Sequence, residues 1–215
     1  MPRVRTYAQF CAVAKALDVV GDRWTLLVVR ELLIRGPSRY TDLRRGLPGI
    51  ATNLLADRLR ELEAAGLVAA EQAPPPVAAT LFALTDRGAE LEPVLQQLAK
   101  WGGALLGAPT EREAFQSHWF ALPLRRLLAD HAPDRPAQTL EVRTGDEPLT
   151  VTVGGGAVDP CLGPAVAPDA VVEGPPELVI PLLAGWVTLA AARAAGLAFR
   201  GDAAVLARVQ PGAAG

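Results

Sequence analysis

The sequence predicts an α+β chain in two parts, and three observations carry that reading. Through the first hundred residues apolar side chains recur at helical spacing, with one short alternating stretch on either side of Pro74-Pro75-Pro76. Beyond Glu111 the pattern changes to several short alternating runs followed by helical ones. Between the two, at Gly107-Ala108-Pro109-Thr110, the charge changes sign. Residues 1–110 carry 13 basic and 11 acidic groups, and residues 111–215 carry 8 and 12. At 215 residues the chain has room for two domains, and a composition half hydrophobic and one-fifth charged excludes general disorder. The expected division is 1–108 and 109–215.

The elements of the first part follow in order. Cys11, Val13, Ala14, Leu17 and Val20 form a first helix, and Trp24, Leu27, Val28, Glu31 and Leu32 a second that ends at Gly36-Pro37. Residues 39–66, RYTDLRRGLPGIATNLLADRLRELEAAG, read as a short helix, a turn at Leu47-Pro48-Gly49 and an amphipathic helix. In that helix Leu55, Leu59 and Leu62 recur at i, i+4 and i+7, while Thr52, Asn53, Ala56, Asp57 and Arg60 fall on the other face, and Gly66 stops it. Leu67-Val68 opens one short strand and Thr80 to Leu84 a second, joined by the proline-rich tip. Thr85-Asp86-Arg87-Gly88 starts a further helix in which Leu91, Val94, Leu95, Leu98 and Trp101 or Leu105 share a face. The sum is a winged helix-turn-helix with flanking helices.

Such a motif sets its second helix into the DNA major groove, N-terminal end against base edges, where Asn pairs with adenine and Arg with guanine. An ordinary helical hairpin with a solvated face has the same periodicity, and charge separates the two. From Arg35 to Arg60 six arginines (35, 39, 44, 45, 58, 60) face two aspartates (42, 57), a surplus of four in a chain whose net charge is −2. The expected DNA-contacting residues are Ser38, Arg39, Thr41, Arg44, Arg45, Thr52, Asn53, Ala56, Asp57, Arg58 and Arg60.

Residues 8–106 resemble the HxlR-type branch of winged helix-turn-helix regulators, in the MarR-like superfamily. Four ordered blocks carry the resemblance: CAVAKALDVVGDRWTLLVVREL (11–32), GPSRYTDL (36–43), GIATNLLADRLRELEAAGLV (49–68) and LTDRGAEL (84–91). It implies a homodimer on a short inverted-repeat operator in double-stranded DNA, repressing or activating a nearby operon, with pairing through the first helix and the helix after the wing. The chain departs from the family in its wing: Val68-Ala69-Ala70-Glu71 and Val77-Ala78-Ala79 carry no positive charge. Phosphate anchoring then falls to Arg39, Arg44, Arg45 and Arg58, with a shallow salt dependence.

Some members of the family use a cysteine at the position of Cys11 as a thiol sensor of quinones, aldehydes or oxidants. The more frequent condition of a lone cysteine on an apolar helix face is buried and inert, and Lys15 is the nearest basic group after the N-terminal arginines. Two cysteines in 215 residues give no disulfide or metal framework and fit a reducing compartment. The start of the chain has no cleavable-signal pattern, and the longest apolar run, Leu178 to Ala192, is broken by Pro181 and Gly185. A soluble cytoplasmic protein with no membrane partner is the expectation, and 19 arginines against 2 lysines suggest a GC-rich bacterial genome.

In the second part, Glu111 to Ala129 reads as a helical segment interrupted by Pro123. Leu140 to Arg143 and Leu149 to Val153 form a half-buried hairpin, followed by strands at Val158 to Leu162 and Ala170 to Glu173. Helices at Pro175 to Ala184 and Val187 to Ala195, a strand at Leu197 to Arg200 and a last helix capped by Asp202 complete it. The segments 169–174, 182–185 and 196–206 resemble sterol-carrier-protein-like domains, in which a sheet and helices enclose an apolar tunnel. The resemblance implies a small apolar effector, with Val179, Leu182, Leu183, Trp186, Leu189 and Phe199 as walls, although such residues commonly just fill a core. No catalytic or cofactor motif is present: there is no nucleophile elbow, phosphate loop or dinucleotide fingerprint, and His118 and His131 read as surface or capping residues rather than metal ligands. The reading is therefore of a ligand-responsive, non-enzymatic regulator without cofactor. Its alternatives are a Cys11 thiol sensor with a structural second domain, and a hydrophobic-metabolite carrier with a vestigial helix-turn-helix.

Overall fold

A computed structural model describes residues 6–74, 78–106, 110 and 112–211. The wing tip at Pro75-Pro76 and the linker at Gly107-Ala108-Pro109 lie outside the described residues. The chain divides into two compact units, Met1–Leu98 and Ala99–Gly215.

The first unit runs α1 (Ala12–Val20), α2 (Thr25–Arg35), β1 (Ser38–Arg39), α3 (Tyr40–Gly46), α4 (Thr52–Ala64), β2 (Val68–Gln72), β3 (Thr80–Leu84), α5 (Asp86–Ala89) and α6 (Glu92–Gly103), whose last residues belong to the second unit. Its sheet is antiparallel in the order β1-β3-β2, with Ser38 opposite Phe82 and Ala70 opposite the same residue from the other side. β1 is two residues long and carries no periodicity, which is why the sequence gives no sign of it. The core is Val28, Val29 and Leu32 of α2, Leu43 and Leu47 at the end of α3, and the Leu55, Leu59, Leu62 stripe of α4.

The expected stop at Gly66 is a full Schellman closure. Gly66 takes φ +69°, its N–H donates to Glu63 O and the Leu67 N–H to Leu62 O, both at 2.9 Å. Thr85 then locks the wing to that corner. Its hydroxyl donates to Gly66 O at 2.7 Å and caps α5 by accepting from Gly88 N at 3.1 Å, while its own N–H donates to Leu67 O at 3.0 Å. Gly88 is needed there because a Cβ would stand 2.1 Å from the Leu67 carbonyl oxygen. The single helix expected after the wing is two. The chain breaks at Glu90-Leu91, and Pro93, which has no N–H, sits in the first turn of α6, where none is required.

The second unit contains a 3-10 turn (Ser117–Phe120), α7 (Ala121–Leu127), β4 (Gln138–Arg143), β5 (Leu149–Gly154), β6 (Ala157–Leu162), β7 (Ala170–Glu173), α8 (Pro176–Leu183), α9 (Leu189–Ala194), β8 (Ala198–Gly201) and α10 (Ala203–Val209). The strands form one sheet in the order β6-β5-β4-β7-β8, antiparallel except for the parallel pair β4 and β7. Pro123 does not interrupt a helix as expected: it occupies the first turn of α7, and residues 112–116 are not helical. His118 is also corrected, being buried in the 3-10 turn, edge-on to Trp119, while His131 is exposed. Asp202 caps α10 as expected, accepting from Ala204 N at 2.8 Å. Opposite it in α10, Arg208 reaches into the unit and donates to Asp130 (2.8 and 3.1 Å), Pro136 O and Gln138.

Candidate nucleic-acid interface

α3 and α4 make the helix-turn-helix, with Leu43 and Leu47 on one side of the turn and Leu55 on the other burying the corner. The Tyr40 hydroxyl on α3 donates to Thr52 O at 2.6 Å and so fixes the N-terminus of α4. Thr52 and Asn53 are exposed at that N-terminus; Ala56 and Asp57 are half-buried one turn on, and exposed Arg60 pairs with Asp57. These residues lie on α4 away from the leucine stripe, and the side chains of Thr52 and Asn53 are exposed to solvent. Thr41, Arg39 and Arg44 are exposed on the preceding segment, and Arg45 stands 3.6 Å from Asp42.

Two expected contact residues sit elsewhere. Ser38 is buried in β1 and its hydroxyl donates to Gly36 O at 2.9 Å, so it supports the corner instead of reaching outward. The Arg58 side chain is only 12 % exposed and is held by Asp22, before α2, and by Glu61 at 2.7 Å. It ties the α1–α2 turn to α4, and both its Nη groups are committed. Arg35 likewise stands 3.4 Å from Glu31, whose side chain is fully buried and which also accepts from Arg30 at 2.8 Å; burial pulls the Arg30 pKa down against that pairing. The surplus of four counted between Arg35 and Arg60 is therefore partly answered by three acids outside that window, Asp22, Glu31 and Glu61. Sequence reasoning missed Asp22, Glu31 and Tyr40 as supports. The i, i+4 spacing of Glu31 and Arg35 was a usable signal, whereas Asp22 and Arg58 are 36 residues apart. Gly46 completes the Glu31 site, since a Cβ there would fall 2.0 Å from Glu31 Oε2.

Apolar side chains remain exposed on two helices. On α1 these are Val13, Leu17 and Val19, preceded by Tyr7 and Phe10, and along α6 Val94, Leu98 and Trp101 recur at i, i+4 and i+7. Cys11 is the N-cap residue of α1 and is exposed, which corrects the expectation of a buried thiol. In the second unit Val179, Leu182, Leu183 and Phe199 are buried core residues, Leu189 is half-buried and Trp186 is 76 % exposed, so the six expected walls do not share one environment. Among the described residues no helix is long and apolar enough to cross a membrane, and no group of three His, Cys, Asp or Glu could hold a metal.

A recognition helix with a polar, exposed N-terminal half, backed by a second helix and flanked by a three-stranded wing, defines a winged helix-turn-helix DNA-binding protein. The family model for the HxlR-like helix-turn-helix matches residues 19–109. The HTH-type transcriptional regulator YkvN of Bacillus subtilis is 40 % identical over 96 residues, covering 43 % of this chain and 78 % of YkvN; YodB of the same organism is 31 % identical over 86 residues, covering 40 % and 76 %. Among solved structures, the redox regulator HypR in its oxidized form is 34 % identical and covers 46 % of this chain and all of its own, at a TM-score of 0.41. The chain belongs to the HxlR-like helix-turn-helix family of transcriptional regulators.

Proposed function

We propose that this chain is a dimeric regulator that reads a short inverted repeat through α4, and that its second part binds a small effector that alters DNA affinity. In this reading residues 1–108 bind DNA and pair, and residues 109–215 carry the effector site. The observation that carries it is the division of labour on α4. The leucine stripe is buried, while Thr52, Asn53 and Arg60 present hydrogen-bonding groups to solvent at the base-reading end. The unpartnered apolar rows on α1 and α6 support pairing between two copies, because a monomer leaves them in water. Arg39, Arg44 and Arg45 are the phosphate contacts of this scheme, and Arg58 is a strut. An effector acts only if it binds the two forms of the dimer unequally. The whole is placed in the cytoplasm, without cofactor or catalysis.

The paired variants Asn53→Ala and Arg44→Ala test the scheme. Loss of a base contact costs about 1 to 3 kcal/mol at one base position and relaxes specificity there, whereas loss of a phosphate contact weakens all sequences alike and flattens the salt slope by about one. If both variants bind like the parent, the interface lies elsewhere.

A second reading has its own observation. Cys11 is exposed at the start of α1, the helix assigned to pairing, so a reagent reaching its thiol would act on the dimer. Solved structures of YodB include a diamide-treated and a quinone-bound form. Cys11→Ser decides it: a response of DNA binding to quinone or diamide that survives the change ends the thiol-sensor reading.

A further inference from the structure

Along α4, Asn53, Asp57 and Arg60 follow one another at i, i+4 and i+7, and on a helix that spacing makes a row opposite the buried Leu55, Leu59 and Leu62. An acid in the middle of a surface meant for DNA is a liability, because a carboxylate meets phosphates and the acceptor edge of guanine there. The partner of Asp57 removes the difficulty. Its Oδ1 accepts from Nη2 of Arg60, and the same guanidinium reaches the Ala56 carbonyl through Nε at 3.4 Å. Both contacts run back toward the helix N-terminus, the direction in which helical side chains lean. The charged group therefore lies over the turn before its own Cα, nearer the base-reading end.

The donors left over fix the target. Of the five N–H groups of a guanidinium, Nε–H and one Nη2–H lie parallel along one edge, and these are the two that Ala56 and Asp57 take up. On the other edge one hydrogen of Nη1 and the second of Nη2 also lie parallel. That edge has no partner among the described residues, and the Arg60 side chain is 74 % exposed. Two parallel donors match O6 and N7 of guanine in the major groove, where no other base sets two acceptors side by side. Arg58 on the same helix is the contrast: its Nη1 and Nη2 are bonded to Asp22 and Glu61, and its edge is spent. The charges of Arg60 and Asp57 sum to zero, so the pair gains little from counterion release and is suited to reading rather than anchoring. A held arginine has also given up in advance much of the side-chain freedom that a loose one loses on binding.

We propose that Asp57 is a positioning residue for base reading: it holds Arg60 so that the free edge of the guanidinium meets O6 and N7 of a guanine in the operator. The proposal rests on the reading of α4 as the recognition helix, and it gives Asp57 a part without a base contact of its own. The test is selection by the full-length protein from a duplex library with a randomised core. The parent and three variants are then titrated against the selected duplex and against unselected DNA. The parent is expected to select a motif containing a guanine, and Arg60→Ala to lose the preference for it. Asp57→Ala removes a negative charge from the DNA-facing row, yet is expected to bind the selected duplex at least about tenfold more weakly and to lose the same preference. Asp57→Asn keeps the accepting oxygen without the charge and is expected to retain most of that preference. Both side chains are well exposed, so the melting temperatures of the variants are expected to match the parent's. A carboxylate that only repels DNA predicts the opposite sign: Asp57→Ala and Asp57→Asn alike would bind every duplex more tightly, and that result overturns the proposal. A guanine preference that survives Arg60→Ala or Asp57→Ala overturns the proposal alone, whereas a parent that selects no motif overturns the reading of α4 along with it.

Discussion

Arg60 and Asp57 on the recognition helix pair in open solvent, at 74 % and 48 % exposure, whereas Arg208 and Asp130 in the second unit pair at 3 % and 0 %. The two pairs use the same chemistry for opposite ends. An exposed pair contributes little to stability and can exchange its partner for a phosphate or a base at small cost. A buried pair has lost its water, so each charge depends on the other and on the carbonyls around it. The first unit contains both kinds, since Arg58 and Glu31 belong with the buried class although Arg58 lies on the same helix as exposed Thr52, Asn53 and Arg60. Counting arginines along the chain therefore overstates the charge a DNA backbone would meet.

The largest effect that would break this comparison is expected at Asp130. Asp130→Asn leaves the Arg208 guanidinium buried without its counter-charge, and the second unit should unfold at temperatures where the parent is folded. The Arg208 hydrogen bond, with the Ala132 and Gly156 N–H groups, holds the Asp130 carboxyl well below the usual carboxylate range, against the opposing effect of burial. Because the folded value is depressed, this contribution is complete above about pH 4, the ordinary carboxylate value, and is lost as pH falls below it. Melting curves between neutral pH and pH 3 should show that loss in the parent and its absence in Asp130→Asn.

Next in size is Glu31→Ala, which removes the buried carboxylate that Arg30 and Arg35 share and should cost about 3 to 5 kcal/mol in denaturant unfolding of the first unit. A cost near that of a surface change would move Glu31 into the exposed class. Gly88→Ala should cost about 1 to 3 kcal/mol, because its Cβ meets a backbone oxygen that cannot swing away. Smallest for stability is Arg60→Ala, under about 1 kcal/mol, with its effect falling instead on DNA affinity. A large loss of stability there would contradict the contrast between the two pairs.

The helices, the wing and the strands of the second unit were legible because each repeats an apolar residue at its own period, and Gly66, Thr85 and Asp202 mark ends through local bonds. What escaped was short or non-local. β1 is defined only by its pairing with β3. The break before α6 comes from Pro93 acting on its neighbours, and the helix expected from Glu111 gives way to a 3-10 turn at Ser117. Of the interface, Thr52, Asn53 and Arg60 could be placed on the free face from spacing alone. That Ser38 and Arg58 turn inward depends on Gly36, Asp22 and Glu61, and only folding brings Asp22 to Arg58. The alternation Leu140-Glu141-Val142-Arg143 disclosed two faces, but the Ala165 N–H that donates to Glu141 comes from the connection beyond β6.

The most direct test of the central claim is fluorescence-anisotropy binding of the full-length protein to the DNA upstream of its own gene, against a scrambled duplex at one near-physiological salt concentration. A preference of at least about a thousandfold, reduced by Asn53→Ala, is the predicted result. Equal binding to both duplexes, unchanged by Asn53→Ala, would contradict it.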